Sequence, residues 1–201
     1  PTDRPTDRPT DRPTDRPTVT IQNMYLVNPY QGIDLGTSPA GRHLVSGVYG
    51  NPLKTGIFVD QCYDVGRIRH VHFWNFWAAD GEKVVGPLQN WIAEHGVSLQ
   101  LARTDWEVVE DVFSWGYGRG LVLAQSASGA CNGQFTDINF DAVDVGIEVE
   151  ATQDPGAFFS NLNLANAGSW CNDAAACHQV GIRCTNCTGS VGVVVRGMSL
   201  W

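Results

Sequence analysis

The hexapeptide Phe135-Thr-Asp-Ile-Asn-Phe140 returns 24 residues later as Phe159-Ser-Asn-Leu-Asn-Leu164. Apolar residues occupy its first, fourth and sixth positions, and the third is Asp or Asn. The same pattern runs through Ile21-Gln-Asn-Met-Tyr-Leu26, Val45-Ser-Gly-Val-Tyr-Gly50, Ile68-Arg-His-Val-His-Phe73, Val109-Glu-Asp-Val-Phe-Ser114 and Val195-Arg-Gly-Met-Ser-Leu200. Across the copies the third position reads Asn23, Gly47, His70, Asp111, Asp137, Asn161 and Gly197. These residue types tolerate φ > 0, so the pattern predicts a left-handed corner at that position in every copy.

Successive copies start 24, 23, 41, 26, 24 and 36 residues apart. Eleven residues after four of the starts comes a Gly followed by apolar residues: Gly32-Ile-Asp-Leu35, Gly56-Ile-Phe-Val59, Gly120-Leu-Val-Leu123 and Gly146-Ile-Glu-Val149. Gly96-Val-Ser-Leu99 and Gly181-Ile-Arg-Cys184 read as displaced equivalents after insertions. Short strands recurring at a period near 24 predict a solenoid, and strands this short imply a parallel β-helix. At roughly 4.8 Å per turn, its seven coils make a rod about 30 Å long.

The polar column at the corner resembles the Asn ladder of right-handed pectate-lyase-like β-helices, and His70-Val-His-Phe-Trp74 and Arg103-Thr-Asp-Trp-Glu107 are similar to segments of bacterial members of that superfamily. The resemblance covers residues 19–201 and implies an all-β fold, a right-handed parallel β-helix solenoid of about seven coils, with insertions near 74–105 and 167–180. It implies a fold and no particular chemistry.

Residues 1–18 are different. Four identical copies of Pro-Thr-Asp-Arg fill residues 1–16 and Pro17-Thr18 starts a fifth. Pro fixes φ and lacks an N–H, Arg before Pro is pushed away from the α region, and nothing large and apolar is present, so the segment reads as an extended polyproline-like repeat. Its four Asp and four Arg cancel, and the net charge of −8 therefore belongs to residues 19–201. Exact tandem tetrapeptides of this kind resemble extracellular glycan-coated filaments, which implies self-association into a fibre and covalent O-linked glycans on Thr2, Thr6, Thr10, Thr14 and Thr18.

An excess of 21 acidic over 13 basic residues argues against nucleic acid as a partner. No run approaches the roughly 18 apolar residues of a membrane span. Cys171, Cys177, Cys184 and Cys187 crowd together, which suits an oxidising compartment and an extracellular or cell-surface location. Cys171 and Cys177 are the expected disulfide, separated by five residues in an Ala-rich loop. A metal site made from Cys171, Cys177, Cys184, Cys187 and His178 is the alternative, because Cys184-Thr-Asn-Cys187 has zinc-like spacing. Cys184, however, falls at an inward strand position, where it reads as a small hydrophobe, and Cys62 and Cys131 read as buried single thiols. No metal or other cofactor is expected. Asn186-Cys-Thr188 matches an N-glycosylation sequon.

The first insertion carries Gly86-Pro-Leu-Gln-Asn-Trp-Ile-Ala-Glu-His95-Gly96, whose Pro87 start, apolar spacing and closing Gly predict one short amphipathic helix. Trp74, Phe76, Trp77, Trp106, Phe113, Trp115 and Tyr117 surround it. Trp106 flanked by Asp105 and Glu107 is the candidate glycan-binding platform; packing of the insertion against the rod is the leading account of the aromatic residues, because aromatic clusters usually serve packing. No catalytic set is expected. Asp60, Asp64, Arg67 and Arg69, or Asp137, Asp141, Asp144 and Glu148, are the groups that would have to converge. The leading expectation is a structural component of an extracellular filament, with the β-helix as its terminal or anchoring module. A carbohydrate-active β-helix enzyme and a glycan-binding adhesin on a glycosylated stalk are the alternatives.

Overall fold

The computed structural model describes residues 18–78, 86–166, 180–185 and 192–200. Among these the fold is all-β, in two parallel sheets. The larger sheet contains β1 (Thr18–Leu26), β3 (Arg42–Gly50), β5 (Arg67–Trp74), β7 (Thr104–Trp115), β9 (Cys131–Val143), β11 (Thr152–Asn166) and β13 (Val193–Leu200), in that spatial order. The smaller sheet runs β2 (Gln31–Leu35), β4 (Thr55–Val59), β6 (Val97–Leu101), β8 (Arg119–Leu123), β10 (Val145–Val149) and β12 (Val180–Cys184). The chain thus alternates between the sheets, and each strand hydrogen-bonds to the strand two elements away in sequence.

The hexapeptides are the register of the larger sheet. Ile21 pairs with Val45, Val45 with Ile68, Ile68 with Val109, Val109 with Phe135, Phe135 with Phe159 and Phe159 with Val195. All seven third-position residues have positive φ, from 53° at Asp111 to 66° at Gly47. The ladder skips that residue in each strand, passing for example from Gln22↔Ser46 to Met24↔Val48. A flat strand alternates its side chains in and out, so apolar residues at positions one, four and six are out of step by one. The left-handed residue absorbs the extra step, bends the strand and returns position four to the interior. Val48, Val71, Val112, Ile138 and Leu162 accordingly form a fully buried line.

In the smaller sheet Ile33, Ile57, Leu99, Leu121 and Ile147 form one buried column and Leu35, Val59, Leu101, Leu123 and Val149 another. The pairing corrects the alignment at Gly96. Leu99 pairs with Ile57 and Leu101 with Val59, so Ser98, not Gly96, takes the place held elsewhere by glycine. Gly96 instead closes the helix. A Cβ at Gly56 would stand 2.4 Å from Phe73 Cε2, and one at Gly120 would stand 2.3 Å from Phe140 Cδ2. Glycine is required there because a Cβ would meet both the aromatic ring that the next strand sends across the interior and a backbone oxygen of the adjacent strand, Ser98 O at 2.3 Å for Gly56 and Gly146 O at 2.6 Å for Gly120. Where that strand supplies Ser114, a serine fits, and the Ser98 and Ser114 hydroxyls hydrogen-bond at 2.5 Å.

The expected helix is α1 (Pro87–His95), with Pro87 at its first position and the Gly96 N–H bonded to Ile92 O at 2.7 Å. Ile92 is fully buried in the core, and Leu88 and Trp91 pack on it. The interruption of the sheets is narrower than 74–105, since β6 and the start of β7 lie within that span. Residues 167–179 of the other expected insertion lie outside the described residues, as do residues 1–17 of the repeat. Among the described residues no helix is long and apolar enough to cross a membrane.

Candidate functional site

The stretch Arg103-Thr-Asp-Trp-Glu107 lies at a bulge. Thr104 pairs with Cys131 and Glu107 with Gly133, so Asp105 and Trp106 together oppose Asn132 alone. Trp106 has φ +57° and is 57% exposed, and its backbone N–H donates to Asn132 Oδ1 at 2.5 Å. The bulge reverses the direction of successive side chains, and it separates the two carboxylates expected to flank the indole. Asp105 stays near the surface, in an ion pair with Arg103 (3.0 Å) and accepting from Gln153 Nε2 at 2.6 Å. Glu107 points into the molecule and is wholly buried. Trp106 therefore stands on the surface without a pair of free carboxylates beside it.

Glu107 meets His43 inside. His43 Nε2 and Glu107 Oε1 are 2.9 Å apart, with both side chains sealed from solvent. The two residues sit on strands on either side of β5, and Gly66, just before β5, lies between them. A Cβ at Gly66 would stand 2.2 Å from His43 Cε1 and 2.4 Å from Glu107 Oε2. The missing side chain is what lets imidazole and carboxylate meet across a strand. Burial by itself would depress the His43 pKa, but the adjacent Glu107 charge, with a smaller contribution from Cys62, outweighs it and raises the pKa to about 10. Cys62 completes the cluster: one ligand atom from each of His43, Cys62 and Glu107 lies within 4.8 Å of the others. Glu107 Oε2 and His43 Nδ1 are buried without a hydrogen-bond partner.

Cys62 belongs to a short third line of parallel pairing, Cys62↔Thr104↔Cys131↔Thr152, all of it buried. Cys62 and Cys131 are free thiols, in agreement with the sequence reading, and burial pushes the Cys131 thiol pKa up. Cys184 pairs with Val149 at the end of an interior column, yet it is exposed and disulfide-bonded. The expectation that it behaves as a small buried hydrophobe is therefore corrected: its column is the inward one, but among the described residues no further strand of the smaller sheet lies over it. Cys171, Cys177, Cys187 and His178 lie outside the described residues, as do Thr2, Thr6, Thr10 and Thr14. Thr18 is exposed at the start of β1.

The fold disperses the other carboxylate groups. Asp60 is buried and accepts from the Gln61 N–H, the Arg103 N–H and the Ser126 hydroxyl, whereas Asp64 pairs with Arg42 at 3.0 Å and Arg69 reaches Glu110 at 3.8 Å. Asp137 accepts from Asn161 in the corner column, while Glu148 lies in the other sheet beside Arg119 at 3.3 Å. His70 and Asp111, neighbours in the same corner column, meet at 2.7 Å in solvent.

The sequence reading did not anticipate the outer face of the larger sheet. Fifth-position residues point outward, and the pairing aligns Tyr25, Tyr49, His72 and Phe113 with Asn139 and Asn163. His72 lies 5.0 Å from Phe113 and 5.0 Å from Trp77, and Trp77 lies 5.9 Å from Tyr25, by ring centroids. Tyr25, Tyr49 and Trp77 are 59%, 45% and 37% exposed, and Asn163 donates to Asn139 Oδ1 at 2.7 Å. The fifth position of the hexapeptides carried this signal: a ring in the first four copies, an amide in the next two and Ser199 in the last. Tyr117, grouped with these residues by sequence, is instead fully buried on the other side of the fold and donates to Pro52 O at 2.9 Å. No protein-family model, curated protein or solved structure matches this chain.

Proposed function

We propose that the chain is a structural component of an extracellular filament or surface fibre. In this reading the Pro-Thr-Asp-Arg repeat, O-glycosylated on threonine, forms the fibre, and residues 19–201 form its terminal or anchoring module. The observation that carries it is the join itself: identical tetrapeptides of zero net charge run directly into β1, a strand of a sheet in which every pairing is parallel. The finer architecture is a right-handed parallel β-helix of about seven coils, of the pectate-lyase-like kind. Support comes from the alternation of thirteen strands, among the described residues, between two parallel sheets, with a third short ladder through Cys62, Thr104, Cys131 and Thr152. The Cys184 disulfide suits an oxidising location. Intact mass and negative-stain microscopy of native material test the reading. Hexose-sized mass increments on the repeat together with filaments are expected; a bare repeat on a dispersed monomer overturns it.

A second reading, glycan binding, is favoured by the outer face. Flat rings beside amide donors suit a sugar, which presents an apolar face and a rim of hydroxyls. Tyr49→Ala and Trp77→Ala are expected to abolish retardation in affinity electrophoresis through soluble polysaccharides, while Trp106→Ala leaves it unchanged. Retardation that is lost only with Trp106→Ala would move the site to the bulge.

A further inference from the structure

The buried cluster calls for a reason to exist. Isolated charges in a dry interior are costly, and a histidine–glutamate pair is commonly no more stable than well-packed hydrophobic residues of the same volume. The next interior row along the same strands is filled by Val45, Ile68, Val109 and Phe135, so an apolar solution was available at the same depth. Instead three residues of metal-ligating type come from three separate segments. His43 lies in β3, Cys62 precedes β5 and Glu107 lies in β7. A carboxylate oxygen there is left without a hydrogen-bond partner, next to the place where the Gly66 side chain would have been.

We propose that His43, Cys62 and Glu107 form an interior binding site for one divalent cation of the zinc type. The donor set of one imidazole, one thiolate and one carboxylate suits a borderline ion, and it does not suit calcium or magnesium, which take oxygen ligands. Charge balances: the thiolate and carboxylate neutralise the dication, so the loaded site buries no net charge. Binding forms three metal–ligand bonds, and whatever proton the Cys62 thiol or the liganding nitrogen of His43 carries leaves to solvent, since both ligate through a deprotonated atom. The geometry needs a modest contraction. Bond lengths of about 2.0–2.3 Å place tetrahedral ligands about 3–4 Å apart, against the 4.8 Å limit within which these atoms now lie. His43 Nε2 and Glu107 Oε1, at 2.9 Å, are already close enough to share an ion. The space at Gly66 lies beside both groups, and the Cys62 thiol, which interacts with His43, also reaches the backbone carbonyls Asp64 O at 3.2 Å and Gly41 O at 3.5 Å. Because all three side chains are sealed, the ion enters during folding. This inference does not depend on the filament reading.

The test unfolds the full chain in guanidinium with a chelator under argon, then refolds it with one equivalent of Co²⁺ and removes unbound metal by gel filtration. Wild type is expected to retain about one Co²⁺ per chain, with a thiolate-to-cobalt charge-transfer band and a raised thermal transition relative to chelator-treated protein. Cys131→Ser should keep the band, and Cys62→Ser should lose it along with most of the metal. Refolded wild type that retains no cobalt overturns the proposal, as does retained cobalt without the band or a band that persists in folded Cys62→Ser. Should Cys62→Ser fail to fold, ¹⁵N-histidine spectra of the wild type decide. One paramagnetically shifted ring supports the site, and five unshifted rings overturn it.

Discussion

A methyl group at Gly66 would fall within 2.4 Å of both His43 and Glu107. The Gly66 backbone is outside the left-handed region, so the effect of Gly66→Ala is steric and not conformational. It is expected to cost about 1–3 kcal/mol, the usual range for overpacking a filled interior, measured by chemical denaturation. Glu107→Ala leaves a buried imidazole without its counter-charge and is expected to cost about 3–5 kcal/mol, measured in the same way on chelator-treated protein. At the corner the argument is reversed. His70 and Asp111 are exposed and hold φ of 55° and 53°. Replacement by Gly should be nearly neutral, whereas His70→Val or Asp111→Val should cost about 1–2 kcal/mol, since His and Asp visit the left-handed region and a β-branched residue scarcely does. A neutral Val substitution there would show that the corner does not enforce the left-handed conformation.

Among the elements, the two sheets constrain one another through residue size. Gly56 faces Phe73 and Gly120 faces Phe140, while Ser98 faces Ser114. Ser114→Phe alone should be destabilising, because the ring would meet the Ser98 hydroxyl. Ser98→Gly alone breaks the serine pair. The double variant recreates the glycine–aromatic combination found on either side, and a double-mutant cycle should return a favourable coupling of about 0.5–3 kcal/mol. Additive effects would mean that the two positions do not compete for the same space. Helix α1 is held by one anchor of the same kind: Ile92 is fully buried, and Ile92→Ala is expected to cost about 2–5 kcal/mol.

Across the whole molecule, each strand pairs only with the strands beside it in the same sheet, so stability should rise toward the middle of the stack. Core-facing side chains follow that gradient. Val71, Val112 and Ile138 are at most 2% exposed, whereas Met24 and Met198, the end members of the same column, are 41% and 46% exposed. In hydrogen exchange followed by mass spectrometry, amides of β5, β7 and β9 are expected to exchange last and those of β1 and β13 first. Uniform protection from β1 to β13 would contradict this picture of stability passed from neighbour to neighbour.

The repeat spacing alone was enough to locate the strands of the larger sheet and the left-handed residue at the third position of each hexapeptide, because those properties depend on local geometry: which residue types tolerate φ > 0 and how often the apolar pattern recurs. The helix was legible for the same reason, from Pro87 to Gly96. Register after an insertion was not. Ser98 takes a glycine position because of what Ser114 does on the neighbouring strand, and that lies outside any local pattern. The bulge at Asp105-Trp106 was equally hidden, and with it the fact that Glu107 faces inward while Trp106 faces out. His43, Cys62 and Glu107 are separated by up to 64 residues in the chain, and no motif joins them. Only the stacking of β3, β5 and β7, with a glycine between, brings their side chains together in a space closed to water.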